Sequence, residues 1–547
     1  MRALTILLCA LAACGTPGDT GFIKAPHVPE PVAGTSLDRC LTRVRMTQPW
    51  DPLDGSQMMS TGTESGIHPD YRINGGEQIP VDNYAFVEAE VSDYTMFAPL
   101  IFGATLQPGA NHLEVGSCDA VDSCKWTPVD LSVTLGPGSP DPAFAGSGQL
   151  VTAGVAPHRM LLRPDGGVIF STEANAHYIA TIALTALRPN GQLDLGFGAR
   201  GVTVLQTLGN GTPSGSGQSG DPFIAVSSTG GYGVVVRGLL LNYGKMYFAR
   251  LDAHGVLDTT IGVMGLVEVK TPGGPFFDVQ AFGSDGAGHF LAAGLGGDAA
   301  NAGAPAPLLL QLAADGTVMA STALAPGDTK HAPRAAALDA LGRAAFIDTD
   351  HVYRGSIAGP DASFGTAGVA TIPAQLGPVA IALTPDGVAV AAVASGAAGS
   401  DVNLIDVGAM GDVKIVDTHW QGMMPGASPL IAAAADGTIY IAGLLPHPAD
   451  LALSFTTDTT PGSDIVVARV RGGALDTTFG DAGFAHASLM LSWPQPAIDT
   501  LNDAPVALAI GADGEAWVLA ASQSADTTPM INNTQRGPGA GLVRFMK

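Results

Sequence analysis

One short phrase returns along this chain: LDLGFGARGV at 193–202, LDTTIGVMGL at 257–266, DASFGTAGVA at 361–370 and LDTTFGDAGF at 475–484. A unit of roughly 55 residues that repeats in this way is one supersecondary piece, unable to bury its apolar face alone and stacked on its own copies. Aligned on the aromatic residue, the copies fall at Phe144, Phe197, Ile261, Phe364 and Phe479, with degenerate copies near Thr322 and Asp417. Within each copy the order of short apolar runs and turn residues is the same. In the first, 149–152, 158–163, 168–172 and 179–187 read as strands, with the tight turn Asp165-Gly166-Gly167 between the second and third. Four short strands joined by Gly- and Asp-bearing turns make one propeller blade.

Hairpins with turns near Asp165, Gly230, Asp285, Ala340, Asp386, Asp436 and Asp513 predict seven blades over 137–547. The two ends of the array complement each other. The phrase at Phe144 has no strand before it within the array, and the strand at 541–545 has no phrase after it. Joining them closes a ring and leaves no unpaired sheet edge. Strand alternation sends the long connections 206–222, 296–307, 445–463, 487–504 and 522–540 to one face, and the tight turns and the phrase to the other. Loops on a rigid scaffold carry recognition, so the long-loop face is the expected binding face.

Composition agrees with an all-β chain rich in turns. Gly reaches 72 of 547 residues, and Asp outnumbers Glu by 40 to 9. Asp bonds neighbouring backbone in turns, whereas Glu favours helices. A formal net charge of -24 argues against nucleic acid as a partner, since phosphate binding needs clustered Lys and Arg.

The first residues carry a different message. Arg2 precedes an apolar run from Ala3 to Ala13, too short to span a bilayer, which ends in Leu11-Ala12-Ala13-Cys14. This resembles a bacterial lipoprotein signal. The resemblance implies cleavage before Cys14, lipidation of that thiol and a lipid bilayer as partner, and Gly15 in the next position implies the outer membrane, facing the periplasm or the cell surface. Residues 15–38 follow as a flexible tether rich in Pro and Gly.

A unit at 39–136 lacks the repeated phrase and holds Cys40, Cys118 and Cys124. Its Asn74-Gly75-Gly76 turn and its closing run PGANHLEVGSCDAVDSCKWTPVDLSVTL at 108–135 resemble bacterial immunoglobulin-like modules, which implies a small β-sandwich. It departs from them where Cys118 and Cys124 flank the Asp-bearing turn. In an exported protein those two are expected to pair, leaving Cys40 odd, with pairing of Cys40 to either as the alternative.

The array resembles the delta-60 repeat family, whose phrase is Leu-Asp-x-x-Phe-Gly-x-x-Gly, most closely at 186–202 and 468–484. That resemblance implies a β-propeller and no catalytic residues. HExxH, GxSxG, Walker-type and CxxC motifs are missing from the sequence. The repeated Asp194, Asp258 and Asp476 would suit calcium only if several oxygens converged, so a structural role in the turn is expected and no cofactor or metal. Asp348, Asp350 and His351 read as a solvated turn. The expected function is binding of an envelope or extracellular protein or glycan. The alternative is a propeller hydrolase, lyase or oxidoreductase acting on an extracellular small molecule or glycan.

Overall fold

The computed structural model describes residues 26–47, 68–80, 85–86, 99–118, 124–152, 156–176, 179–206, 222–237, 246–271, 276–297, 305–327, 332–396, 399–424, 427–446, 463–489, 502–523 and 539–547. The chain divides into two units, with the boundary between Leu135 and Gly136.

The first unit contains two sheets. One runs His27–Glu30, Leu41–Thr47, Pro99–Thr105, Ala85–Phe86, and the other Ser36–Leu37, Cys124–Val133, Gly109–Cys118, His68–Ile73, Ile79–Pro80. Val44 and Ala104 of one sheet and Leu113, Val115, Leu131 and Val133 of the other share one buried core. The tether expected over 15–38 is contradicted at 27–30 and 36–37, which are strands of these sheets, while 15–25 lie outside the described residues. His27–Glu30 pairs with Leu41–Thr47, and Ser36–Leu37 pairs in parallel with Cys124–Val133.

The second unit is a β-propeller. Its strands form successive four-stranded antiparallel sheets, the first being Ala156–Leu162, Val168–Ala176, Ile179–Leu187 and Val202–Gln206. The sheets that follow lie within 223–269, 276–323, 335–371, 378–423 and 430–487. The sheet of Asn502–Ile510, Ala516–Gln523 and Gly539–Phe545 takes its outer strand from the start of the array, because Gln149–Thr152 pairs with Gly539–Phe545. Each sheet's first strand packs against the first strand of the next, and Asn502–Ile510 packs against Ala156–Leu162, so the ring closes.

Side-chain patterns follow from this stacking. A middle strand has a neighbouring sheet on both faces, so Tyr232 to Val236 are buried without interruption. An outer strand faces solvent on its free side, and Val413–Met423 alternates between exposed and buried positions. Between the first two sheets, Ile182 and Leu184 interdigitate with Val234 and Val236. Each such side chain contributes about 1.5–3 kcal/mol on burial.

The degenerate phrase copies look different in three dimensions. Thr322 lies within the strand Val318–Ala323 and Asp417 within Val413–Met423. In those two sheets the third and fourth strands are joined by the short turns 313–317 and 408–412, and a longer fourth strand replaces the phrase.

Candidate functional site

The phrase is a fastening between sheets. In every full copy one carboxylate oxygen of the Asp accepts the amide N–H two residues on: Asp141 from Ala143, Asp194 from Gly196, Asp258 from Thr260, Asp361 from Ser363, Asp476 from Thr478. Asx turns of this kind are local and cheap to form. The tight chain reversal after them needs positive φ, and Gly198 and Gly201 adopt φ of 52° and 94°. A Cβ on Gly201 would lie 2.5 Å from Leu193 Cγ.

The other carboxylate oxygen meets an arginine near the end of the strand that leads into the phrase or, for Asp141, of the strand Gly539–Phe545. Arg354 Nε donates to Asp361 at 3.0 Å, Arg469 Nε to Asp476 at 3.0 Å, Arg250 Nε to Asp258 at 2.9 Å, and Arg544 Nη2 lies 2.8 Å from Asp141. In the first sheet Ala186 occupies that strand position, and Arg163 reaches Asp194 at 2.6 Å instead. These arginines were not singled out in the sequence. Their signal is an Arg seven or eight residues ahead of the phrase Asp, as in Arg250, Arg354 and Arg469. Gln311 and Asp406 hold the corresponding strand positions in the two sheets that lack the phrase. Burial pushes the Asp406 carboxyl up.

The phrase Phe then slides under the guanidinium. The Arg354 and Arg469 guanidinium carbons lie 4.3 Å and 4.5 Å from the centres of Phe364 and Phe479, and Arg544 sits 5.7 Å from Phe144 and 5.3 Å from Trp517. Such stacking adds about 0.5–2 kcal/mol to the burial of the ring. From there the joint reaches the following sheet. Gly365 N–H donates to Met410 O at 2.9 Å, Gly198 N–H to His254 O at 2.6 Å, and Gly480 N–H to Pro137 O at 2.7 Å. Arg354 Nη2 donates to Ala409 O at 2.8 Å and Arg544 Nη1 to Pro189 O at 3.0 Å.

Electrostatics follow the geometry. The carboxyls of Asp258, Asp361 and Asp476 are held below the ordinary range, first by the hydroxyls of Thr260, Ser363 and Thr478 and further by their arginines, and Asp258 is lowered to about 2. For Asp194 the hydrogen bond from Arg163 is the main cause. The repeated Asp oxygens are thus directed at amides and guanidinium groups of their own joints.

Two groups of described residues bring three potential metal donors together, Asp70 with Cys118 and Cys124, and Asp348 with Asp350 and His351. In the first, Cys118 and Cys124 are disulfide-bonded across directly opposed strand positions, and Gln78 Nε2 donates to Asp70. Cys40 is a free thiol in the core of the same unit, with its pKa raised by burial. Cys14 lies outside the described residues.

The second group corrects the reading of a solvated turn. Asp348 is completely buried. Its carboxylate accepts the N–H groups of Asp350 and His351 at 2.8 Å and 2.7 Å and the Tyr353 hydroxyl at 2.6 Å. A buried carboxylate costs free energy unless it is bonded in this way, so its role is to lock the hairpin between Arg343–Ile347 and His351–Ser356.

The innermost strands are mostly apolar: Phe223–Val226, Ala335–Leu338 and Leu430–Ala433 read FIAV, AAAL and LIAA. Polar side chains gather toward the end where the long connections attach, at His158, Arg159, Asp278, Gln280 and Asp503. Arg159 lies over the Phe223 ring at 4.4 Å. The central parts of the long connections lie outside the described residues, but the strands that bracket them place their attachment points at one end of the sheets. On the opposite face, a depression of about 440 Å³ lies beside Arg250.

No family model and no curated protein matches the chain. Among solved structures, the β-propeller domain of the Trilobed protease from Pyrococcus furiosus is similar at 7% identity and TM-score 0.36, covering 68% of this chain and 90% of its own. Polysaccharide lyase Uly1 gives 9% identity and TM-score 0.40 over 70% of this chain and 88% of its own. A PQQ-bound aldose sugar dehydrogenase from Streptomyces coelicolor gives 15% and 0.27 over 72% and 98%. Likenesses this low carry no inference about chemistry. The propeller is established by the strand order itself.

Proposed function

We propose that this chain is a lipid-anchored cell-envelope binding protein, attached through Cys14 and carrying an immunoglobulin-like spacer followed by a seven-bladed propeller of delta-60-type repeats. Its partner is an envelope or extracellular protein or glycan, met at the outer membrane from the periplasmic or the outer side. The observation that carries this reading is the asymmetry of the two propeller faces. One is occupied by Asp–Arg–Phe joints and tight turns, while all the long connections attach at the other. The apolar inner strands favour a binder over an enzyme built in the channel.

A photo-crosslinking residue placed within 447–462 on intact cells should capture a discrete partner, whereas one at Leu341 on the joint face should not. Capture from Leu341 alone, or from neither site, would overturn the assignment of the face. Metabolic labelling with a fatty acid should mark the wild type and leave Cys14→Ser unlabelled. A hydrolase, lyase or oxidoreductase is the second reading, favoured by the polar group His158, Arg159, Asp278 and Gln280 at the loop ends of the inner strands. Turnover of an extracellular glycan by the purified protein, lost in His158→Ala, would replace the first reading with this one.

A further inference from the structure

The joint at Arg250 differs from its sister joints in one respect with a chemical consequence. Ile261 stands where the others have Phe. The interior volume is made up by Phe248 and Phe290, which pack 5.3 Å apart between the two sheets. Among the described residues, no ring lies over the guanidinium itself. Its side chain is 38% exposed, against 6% for Arg354 and 8% for Arg469, and the bond to the next sheet is the long one of 3.5 Å from Arg250 Nη1 to Ala314 O. Beside it lies the depression of about 440 Å³, lined by Thr229, Asp252, Val256, Leu257 and Asp258. Val256, Val263 and Met264 stand exposed nearby at 53%, 65% and 57%.

We propose that this depression is a docking point for an aromatic side chain of a partner polypeptide, stacked on the Arg250 guanidinium. The occupant is suggested by the chain itself. At Arg354 and Arg469 the ring present in cis lies 4.3 Å and 4.5 Å from the guanidinium, and it arrives on a backbone whose next N–H bonds a carbonyl beyond its own sheet. At Arg250 that ring is missing while the paired, planar cation is retained. Asp258 holds the guanidinium edge-on and so leaves its face available to an aromatic ring. Two carboxylates, Asp252 and Asp258, surround a single cation, so an aromatic residue flanked by a basic one fits the local charge.

The test is calorimetric titration of the full chain with acetyl-Lys-Trp-Lys-amide, using acetyl-Lys-Leu-Lys-amide as control. The Trp peptide should bind at least about tenfold more tightly, a difference of about 1.4 kcal/mol. Arg250→Lys keeps a positive charge beside Asp258 but removes the planar face, and should abolish that preference in a variant whose circular dichroism shows it still folded. Should that variant fail to fold, Ile261→Phe restores the sister ring in cis and should remove the preference instead. Absence of binding by the wild type, equal binding of the two peptides, or a preference that survives in the folded variant overturns the proposal.

Discussion

The guanidinium of Arg544, in the last strand of the chain, lies 2.8 Å from the carboxylate of Asp141, at the opening of the propeller unit. The same pair is made by near neighbours in sequence elsewhere, Arg354 with Asp361 and Arg469 with Asp476. The repeat has therefore been cut between its arginine strand and its phrase, and the fold rejoins the halves. Asp141 N–H donates to Arg544 O at 2.7 Å, and Gln149–Thr152 pairs with Gly539–Phe545 alongside.

Arg544→Ala should cost about 1–3 kcal/mol, the cost of leaving a partly buried carboxylate and the Pro189 carbonyl without their donor. Arg544→Lys should recover only part of it, since the fork and the stack on Trp517 are lost. Urea unfolding midpoints at constant m would measure both. A loss equal to that at an exposed surface Arg would show that closure rests on strand pairing alone.

Phe479→Ala should cost about 3–5 kcal/mol, because the ring is fully buried under Arg469 and edge-on to Tyr440 at 5.9 Å. Ile261→Ala, at the joint whose interior is filled by Phe248 and Phe290, should cost clearly less. The comparison is by calorimetric unfolding of the two variants, and equal losses would mean that the phrase aromatic is not the wedge of its joint.

The joint carboxyls set the acid limit. A carboxyl whose folded pKa lies below its unfolded value near about 3.9 contributes stability that is full above that value and is lost as pH falls through the folded one. For Asp258 that window extends down to about 2. The thermal midpoint should be flat near neutrality and fall steeply below about pH 4, and Asp258→Asn should make that fall shallower. An unchanged acid limb in the variant would remove Asp258 from the account.

Tyr353→Phe should destabilise by about 1–3 kcal/mol although the hydroxyl is its sole loss, because Asp348 is fully buried and would lose a donor at 2.6 Å. Asp348→Asn should be milder in Tyr353→Phe than in the wild type, and a double-mutant cycle reads the coupling directly. Additive losses would mean that the bond contributes nothing.

Reduction of Cys118–Cys124, which closes a short loop with a sequence separation of 6, should lower the stability of the first unit by about 2 kcal/mol. Buried Cys40 should remain unreactive to alkylating reagents until that unit unfolds, which mass spectrometry of labelled peptides would detect.

What the amino-acid sequence determined by itself is local and periodic. Alternating runs and Gly-bearing turns specify the strands and their hairpins, Asp at the phrase specifies its Asx turn, and the unmatched ends of the array specify closure, but the strand read first in each copy, such as 149–152, joins the preceding sheet, and Val202–Gln206 completes the first. Each is written in residues within a few positions of one another, or in a repeat compared with itself. Only the tertiary structure decided which side chains those elements bring together. Arg250, Arg354 and Arg469 precede their Asp by seven or eight residues, yet they become partners because the strand end and the turn fold back on each other. In the first sheet the strand position is Ala186, and an arginine from another hairpin, Arg163, supplies the charge. Asp348 reads as one more solvated turn acid, and its burial depends on Tyr353 and the packing of its whole sheet. Ile261 is an apolar residue like the Phe of the other copies in sequence, and in space no ring among the described residues covers the Arg250 guanidinium. Periodicity fixes what each element is; the environment of a side chain is fixed by residues that stacking brings in from elsewhere.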